Sequence, residues 1–449
     1  MNYKNIILWW TSAFRGSSAL RLLTFFSTVI IIGALFLKFS DSYKEKLSFT
    51  DAVFTAASAV CVAGLSVIDI SQLNTAGKCA ILFLIQIGGL GIISFSCLTL
   101  IIYGKRLALS GSEDIKNFFL EDIEYRPKLI IRSIINFTLV IELTGAVILS
   151  FMFYRRNIDN WLFTAIFHSV SAFCNTGLSI FPSQLRGFSN DIPVLFVFSF
   201  LIISGGLGFL VLHDIALFIK KRGAHRLTYH SKIVLFMTLF IILTGTALFF
   251  ILERRHVLND MNIAGAVVNS FFQTINTRSS GFEVIIQNDF YQPSKLLTSL
   301  LMLMGGAPGS IAGGIKITTV FVVFIFLVKT HDKYGDFNFF HHRIRAATIN
   351  NAIVYTLKAL SLLLICICAL SITEGLRGQP FNMLAFDSIS AFGTVGLTLG
   401  ITPSLSGTGK WIIIATMFAG RVGLFALSFH AIKTHRYNIT YPEGSVLLG

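Results

Sequence analysis

Charge is scarce in this chain: Asp, Glu, Lys and Arg make up 13% of its 449 residues, about half the share of a soluble domain. With 54% hydrophobic residues, that scarcity excludes an ordinary soluble protein and points to a chain that crosses a membrane many times. Acidic residues are the scarcer sign, 22 against 36 Lys and Arg. The resulting charge of +14 is explained by basic loops on one side of a membrane, with no need for nucleic acid. Proline is rare at eight residues, so long apolar helices run unbroken. The six cysteines, Cys61, Cys79, Cys97, Cys174, Cys366 and Cys368, lie in or beside apolar segments without metal-ligand spacing and read as small buried hydrophobes. HExxH, paired catalytic aspartates and a GxSxG motif with its partners are all missing, which removes an intramembrane enzyme. A Rossmann fingerprint in strand–helix context is missing too. Nucleotide sensing would therefore need another polypeptide.

What the chain does have is a stretch that occurs four times. An aromatic stands ten residues before a glycine at Phe54/Gly64, Phe167/Gly177, Phe271/Gly281 and Phe386/Gly396. A large apolar residue follows each glycine: Leu65, Leu178, Phe282 and Leu397. Ser58-Ala59-Val60, Ser171-Ala172-Phe173 and Ser390-Ala391-Phe392 precede three of them, and Ile275-Asn276-Thr277 breaks the pattern in the third. The glycines lie 113, 104 and 115 residues apart. A period of that kind signals a repeated structural unit. Each stretch reads as a helix of ten to fourteen residues, too short to span, ending in an extended turn. A backbone that aims carbonyls at an ion needs positive φ at some positions, which glycine adopts cheaply. Four such turns on one axis make a ring of carbonyls able to replace an ion's hydration shell.

The fold class expected is an all-α membrane protein of four fused span–pore helix–span units in pseudo-fourfold arrangement. It has eight transmembrane spans and four re-entrant pore helices. The unit boundaries are 1–104, 105–220, 221–330 and 331–449. The spans are placed near 21–38, 76–103, 131–154, 193–218, 233–252, 295–328, 352–372 and 411–432. The first apolar run, 19–37, is long enough to span and lacks a small-residue cleavage site. Basic residues cluster between units: Lys105, Arg106, Lys116, Arg126, Lys128 and Arg132, then Lys220, Lys221, Arg222, Arg226 and Lys232, then Lys329, Lys333, Arg343 and Arg345. The loop-charge rule puts these and both termini in the cytoplasm, with the glycine turns opening outward; Arg155, Arg156, Arg254 and Arg255 argue the other way.

The second spans carry Gly88-Gly89-Leu90-Gly91, Gly205-Gly206-Leu207-Gly208 and Gly420-Arg421-Val422-Gly423. In the third unit the corresponding place holds Gly305, Gly306, Ala307, Pro308, Gly309, Ser310, Gly313, Gly314 and Lys316. A plain helix cannot continue through these, so 305–316 is read as a broken-helix loop inside the membrane, acting as a gate. Arg421 takes a glycine's place and has two readings, a cation barrier on the axis or a structural group bound to the loop's carbonyls. Lys316 is either a similar charge or a boundary anchor. Arg278 reads as a pin on pore-helix carbonyls, and Glu142 as the partner of such a base. Asp387 is either a cation-attracting carboxylate or a structural hydrogen-bond acceptor. Asp69 and Glu283 either concentrate cations at the outer mouth or are plain surface charges.

The matching stretches TAASAVCVAGLSV, FHSVSAFCNTGLSI, TINTRSSGF and FDSISAFGTVGLTLG, with LIQIGGLG, GSIAGGIKITT, MFAGRVG and the ending YPEGSVLLG, resemble the Trk/Ktr/HKT superfamily of potassium transporters. The Ktr-type membrane subunit is the nearest type. The resemblance implies K+ uptake through a channel-like filter. Its residues would be Val62, Ala63 and Gly64, Asn175, Thr176 and Gly177, Ser279, Ser280 and Gly281, and Thr394, Val395 and Gly396, with K+ held near the four glycines. It implies 305–316 as gate with Arg421 beneath, a homodimer in the plasma membrane, and a cytoplasmic octameric ring of nucleotide-binding regulatory subunits. No covalent cofactor is implied, and Na+ stands as a second ion. Only Thr394-Val395-Gly396 matches three letters of the potassium-channel TVGYG signature, and no turn has its second glycine. Glycine where some superfamily members carry serine favours potassium over sodium. The competing reading is a secondary transporter with Glu142 or His168 coupling protons or sodium. Four parallel units argue against it, because alternating access commonly uses inverted halves.

Overall fold

The computed structural model describes residues 18–40, 42–43, 47–103, 127–222, 226–328, 337–340 and 342–423. The C-terminal tail and most of the first basic connection lie outside them. Helices α1 (Ser18–Phe39), α2 (Phe49–Cys61) and α3 (Thr75–Tyr103) come first. Then follow α4 (Pro127–Arg155), α5 (Trp161–Phe173), α6 (Ile192–Leu207) and α7 (Phe209–Lys220). Next are α8 (Tyr229–Glu253), α9 (Ile263–Thr277), α10 (Gln292–Leu303) and α11 (Ile317–Val328). A two-stranded antiparallel hairpin, β1 (Phe337–Phe339) and β2 (His342–Ile344), precedes α12 (Ala346–Gly375), α13 (Phe381–Gly393) and α14 (Gly407–Phe418).

One succession thus occurs four times: a long apolar helix, a short buried helix, a glycine turn and another helix. The four long helices, α1, α4, α8 and α12, are long and apolar enough to cross a membrane. They leave Ile32, Leu143, Val147, Leu243, Ile365 and Ile372 exposed, the surface that lipid would cover. The short helices, by contrast, are almost wholly buried. Helix α2 starts on Ser48, whose hydroxyl accepts from Asp51 N–H at 3.1 Å, and α9 starts on Asn262, which caps Gly265 N–H at 2.6 Å. Such caps satisfy helix-end donors that have no partner inside the helix.

The helix after each turn returns against the end of the short helix, and glycine makes the approach possible. A Cβ on Gly88 would fall on Val60 O, one on Gly205 on Phe173 O, and one on Gly420 on Phe392 O. Each of those carbonyls belongs to the residue four places before its turn glycine. The same backbone contact therefore recurs in three of the four successions.

Two expected spans are broken. The stretch 295–328 divides into α10 and α11 around the glycine-rich loop, as its composition predicts. The stretch 193–218 was expected to be continuous, but α6 and α7 meet at 105°. The break falls at Gly208, with φ 84°. The glycine-rich loop causes it: Pro308 O would lie 2.9 Å from a Cβ on Gly208, and Phe209 N–H leaves its own helix for Gly309 O at 3.2 Å.

These contacts set a sharp contrast between neighbouring glycines. Gly205→Ala drives a methyl into a backbone carbonyl and should destabilise the protein by about 2 kcal/mol or more. Gly206→Ala meets open space and should stay within about 1 kcal/mol of the parent. Thermal unfolding of the two purified variants in detergent measures the difference.

Candidate functional site

The four turns converge. A Cβ on Gly64 would fall on Thr176 O and lie 3.0 Å from Gly396 Cα; one on Gly177 would fall on Ser280 O, 2.9 Å from the Gly281 carbonyl carbon. One on Gly281 would fall on Val395 O, 2.9 Å from Gly396 Cα; one on Gly396 would lie 2.7 Å from Gly64 Cα and 2.8 Å from Ala63 O. Each turn therefore abuts the next in chain order, and the fourth closes on the first. All four glycines have positive φ, 74°, 72°, 76° and 102°, where a side chain is strained and has no room.

Three turns leave their helices in the same way. Val62, Asn175 and Thr394 are left-handed at φ 56°, 55° and 51°. Their N–H groups bond back to Ala59, Ala172 and Ala391 O at 3.2, 3.0 and 3.2 Å. The next residues, Ala63, Thr176 and Val395, bond to Ser58, Ser171 and Ser390 O at 2.8, 2.8 and 3.0 Å. This paired pattern is a Schellman ending. It satisfies the last helix carbonyls and turns the chain into an extended run.

The third turn reaches the same place by another route. Asn276 O accepts from both Ser280 and Gly281 N–H, at 3.0 and 3.2 Å. The Asn276 side chain clips Phe282 N–H (2.7 Å) and Phe282 O (2.6 Å). In the second turn Ser171 Oγ donates to Leu178 O (2.7 Å), and in the fourth Gly396 N–H donates to Ser390 Oγ (3.0 Å). Asn276, five residues before its glycine, thus does the work of serines placed six before theirs. The fully buried aromatic of α9 is likewise Phe272, with Phe271 only partly covered. The expected ten-residue alignment of Phe271 is off by one, because the stretch from the buried aromatic to the glycine is one residue shorter. The serines stood out in the sequence as a motif, but their hold on the turn did not.

Below the turns lies 305–316. Its ends pair, Gly305 N–H to Ile315 O at 2.9 Å and Ile317 N–H to Gly306 O at 3.1 Å. Its body ties to neighbours on both sides. Ala307 N–H donates to Gly206 O (2.9 Å), Ile311 N–H to Gly205 O (3.4 Å), and Gly313 N–H to Thr394 Oγ1 (3.1 Å). Ser310 N–H closes a turn on Ala307 O around Pro308 and Gly309. Gly314 has φ 67°. Nearly every polar backbone group named here has a partner, as irregular chain at membrane depth requires.

Arg421 sits in a π-helical turn, Ala419–Gly423, a local form frequent at functional sites. Its guanidinium donates to Ile311 O in the loop and to Gly88 O on α3 at 2.8 Å. The carbonyl-bound reading holds. Because the turns follow chain order around the ring, Gly88 and Ile311 belong to opposite quarters, so the same bonds carry the charge across the axis.

The other charges depart from several expectations. Arg278 donates to Gly305 O at 3.3 Å, on the loop and not on the pore helix. Glu142 has no basic partner in its bonds: it accepts from the Gln86 amide at 3.1 Å and from the Cys174 thiol at 3.7 Å. Lys316 folds back to Ala312 O at 2.6 Å and does not anchor outward. Glu283 is engaged by Arg186 (Nε to Oε1, 2.9 Å), and Asp69 caps Ser71 N–H. Glu283 is thus ion-paired, whereas Asp69 has neutral donors and keeps its charge uncompensated by them. Asp387 accepts from Thr398, Thr402 and Leu399 N–H at 2.7, 2.7 and 3.1 Å, the structural reading. Val62, Ala63, Thr176, Ser279, Ser280 and Val395 all lie in the buried ring. Thr176 Oγ1 and Ser280 Oγ find no partner among the described residues.

The comparisons agree with this architecture. The sequence profile of the TrkH family, described as cation transport protein, matches residues 18–438. The chain is 36% identical over 433 residues to the Ktr system potassium uptake protein B of Bacillus subtilis, covering 94% of this chain and 95% of that one. It is 36% identical over 436 residues to the potassium/sodium uptake protein NtpJ of Enterococcus hirae, covering 95% of each. The crystal structure of the potassium transporter TrkH from Vibrio parahaemolyticus superposes with a TM-score of 0.75 at 19% identity, covering 93% of this chain and 85% of that one. A profile matching nearly the whole length, on a chain whose four buried turns close into one ring, places this protein in the TrkH family of cation transport proteins, a family of membrane transporters and not of enzymes.

Proposed function

We propose that the chain takes up potassium across the plasma membrane through a channel-like pore lined by peptide carbonyls. One observation carries this reading: the turns at Gly64, Gly177, Gly281 and Gly396 close on one another in chain order, with no room for a side chain at any of them. A ring of backbone oxygens can stand in for the water around a cation. The unpartnered hydroxyls of Thr176 and Ser280 add oxygen at the same level. Two relatives matched over nearly their whole length, a potassium uptake protein and a potassium/sodium uptake protein, point to the ions, K+ first and Na+ second. The division at 104, 220 and 330, the eight spans and the cytoplasmic termini belong to this proposal.

Loop 305–316 is the gate, and Arg421 is its latch. The loop lies under the ring, bonded to Thr394 at the ring itself, and Arg421 holds it to the opposite wall. A cytoplasmic nucleotide-binding ring releases this latch, and the membrane subunit works as a homodimer. The alternative, a secondary transporter coupled through Glu142 or His168, is disfavoured by the four parallel units, because alternating access commonly uses inverted halves.

Two measurements test the reading. In proteoliposomes, Gly396→Ser should lower the ratio of K+ to Na+ flux by about tenfold or more, since the added side chain meets Ala63 O and Gly64. An unchanged ratio in a folded variant removes the filter assignment. Arg421→Gln and deletion of Gly305–Gly314 should each raise K+ flux measured without the cytoplasmic partner. Unchanged or lost flux in folded protein removes the gate.

A further inference from the structure

Behind each turn stands a second layer of polar groups, and the four quarters differ in it. In the second quarter His168 is fully buried, with Nδ1 2.7 Å from Thr164 O and Nε2 2.9 Å from Ser179 Oγ. A carbonyl only accepts, so Nδ1 carries the proton and Nε2 accepts from the serine. The ring is held by Phe181, stacked at 4.4 Å, and by the edges of Phe153, Phe167 and Phe198. Ser179 stands two residues beyond Gly177, so the bond ties the pore helix to the strand just outside the carbonyl ring.

The fourth quarter repeats this with a different group. Asp387 occupies His168's place, nine residues before its glycine. Its carboxylate takes Thr398, two residues beyond Gly396, and also Leu399 N–H and Thr402. In the third quarter, where the register is shifted by one, Gln273 falls eight residues before Gly281. It donates to Gln287 Oε1 at 2.9 Å. Gln287 lies six residues beyond its glycine, as Thr402 does. Three unrelated side-chain chemistries therefore make one connection.

The first quarter lacks it. Thr55 stands nine residues before Gly64, but its hydroxyl bonds Asp51 O of its own helix at 2.9 Å. Ser66, the counterpart of Ser179, turns to Ile68 O. Ser58 Oγ, the counterpart of the turn-holding Ser171 and Ser390, has no partner. Nothing polar spans from α2 to the strand beyond Gly64 among these groups.

We propose that His168, Gln273 and Asp387 are specificity-determining positioning residues: each fixes one quarter of the carbonyl ring from behind, and the unbraced Gly64 quarter is the compliant one. A fixed ring holds its oxygens at the spacing that suits one ion, whereas a ring free to contract accepts a smaller one. Discrimination between K+ and Na+ then depends on the three braces, and the first quarter adjusts as ions enter and leave. The inference rests on the carbonyl-ring reading above.

The test is the K+ to Na+ flux ratio of the purified protein in proteoliposomes. Gln273→Ala should lower the ratio by about tenfold, the effect of one lost buried hydrogen bond expressed on one ion, and Asp387→Ala, which removes three, by at least as much. Asp387→Asn should keep the ratio within about threefold of the parent, because its amide oxygen still accepts from Leu399 N–H and its NH2 donates to the Thr398 and Thr402 hydroxyls, which can accept as well as donate. Thr55→Val should leave it unchanged. If Asp387→Ala does not fold, Thr398→Val combined with Thr402→Val removes both hydroxyl bonds from the outer side, two of the three Asp387 makes, and should lower the ratio. Gly396→Ser is run alongside. A ratio moved by Gly396→Ser but by none of the brace variants overturns this inference and leaves the ring standing. A ratio moved by none of them overturns both. Thr55→Val acting as strongly as Asp387→Ala also overturns the inference.

Discussion

The structure depends on one steric constraint: four backbone turns must approach so closely that none can carry a Cβ. Gly64, Gly177, Gly281 and Gly396 sit at positive φ with neighbouring carbonyls in the space a side chain would fill. Positive φ alone would admit asparagine, as Asn175 in the same ring demonstrates; the absence of space does not. The short helices follow from this requirement. A turn at mid-membrane needs a helix that ends there, and a helix end needs its last carbonyls satisfied. The Schellman endings at Val62, Asn175 and Thr394 meet both demands. Gly88, Gly205 and Gly420 then let the returning helices pack on those endings.

A feature was legible in the sequence where only one residue type could serve. The ring glycines, the return glycines and the 305–316 loop all leave letters in the chain, because backbone packed on backbone excludes every side chain. The succession of long and short apolar helices was legible from length alone. The third turn differs because a one-residue shortening is compensated by side-chain chemistry: Asn276, one place along, makes two bonds to Phe282 where each serine makes one to its turn. The break at Gly208 was hidden because its cause lies a hundred residues away, in Pro308 and Gly309. Arg278 binds a carbonyl as expected, but one on the loop, and the partner of Glu142 differs for a related reason. A buried carboxylate in a sequence suggests a base, but here an amide and a thiol serve.

Carbonyl bonding also resolves the two readings of Arg421. A guanidinium is planar and offers several donors in a fixed fork. One cation can therefore hold two carbonyls that face each other across a gap. Lysine would offer a point charge on a flexible stem. The π-helical turn at Ala419–Gly423 places the fork between Gly88 O and Ile311 O. Gly88 and Ile311 come from the first and third successions, so one guanidinium ties the loop to the wall facing it.

The bonding of loop 305–316 constrains how it can move. Its body is held by Gly205, Gly206 and Thr394, and it holds Phe209 in return. In lipid each freed backbone group would be left unsatisfied at several kcal/mol. In water the same exchange nets about 1 kcal/mol per bond. Withdrawal is therefore cheap only if water reaches the loop as it moves, and water reaches it only along the path the loop had closed. For the gate proposed above, opening of the loop and wetting of the path beneath the ring would then be one event.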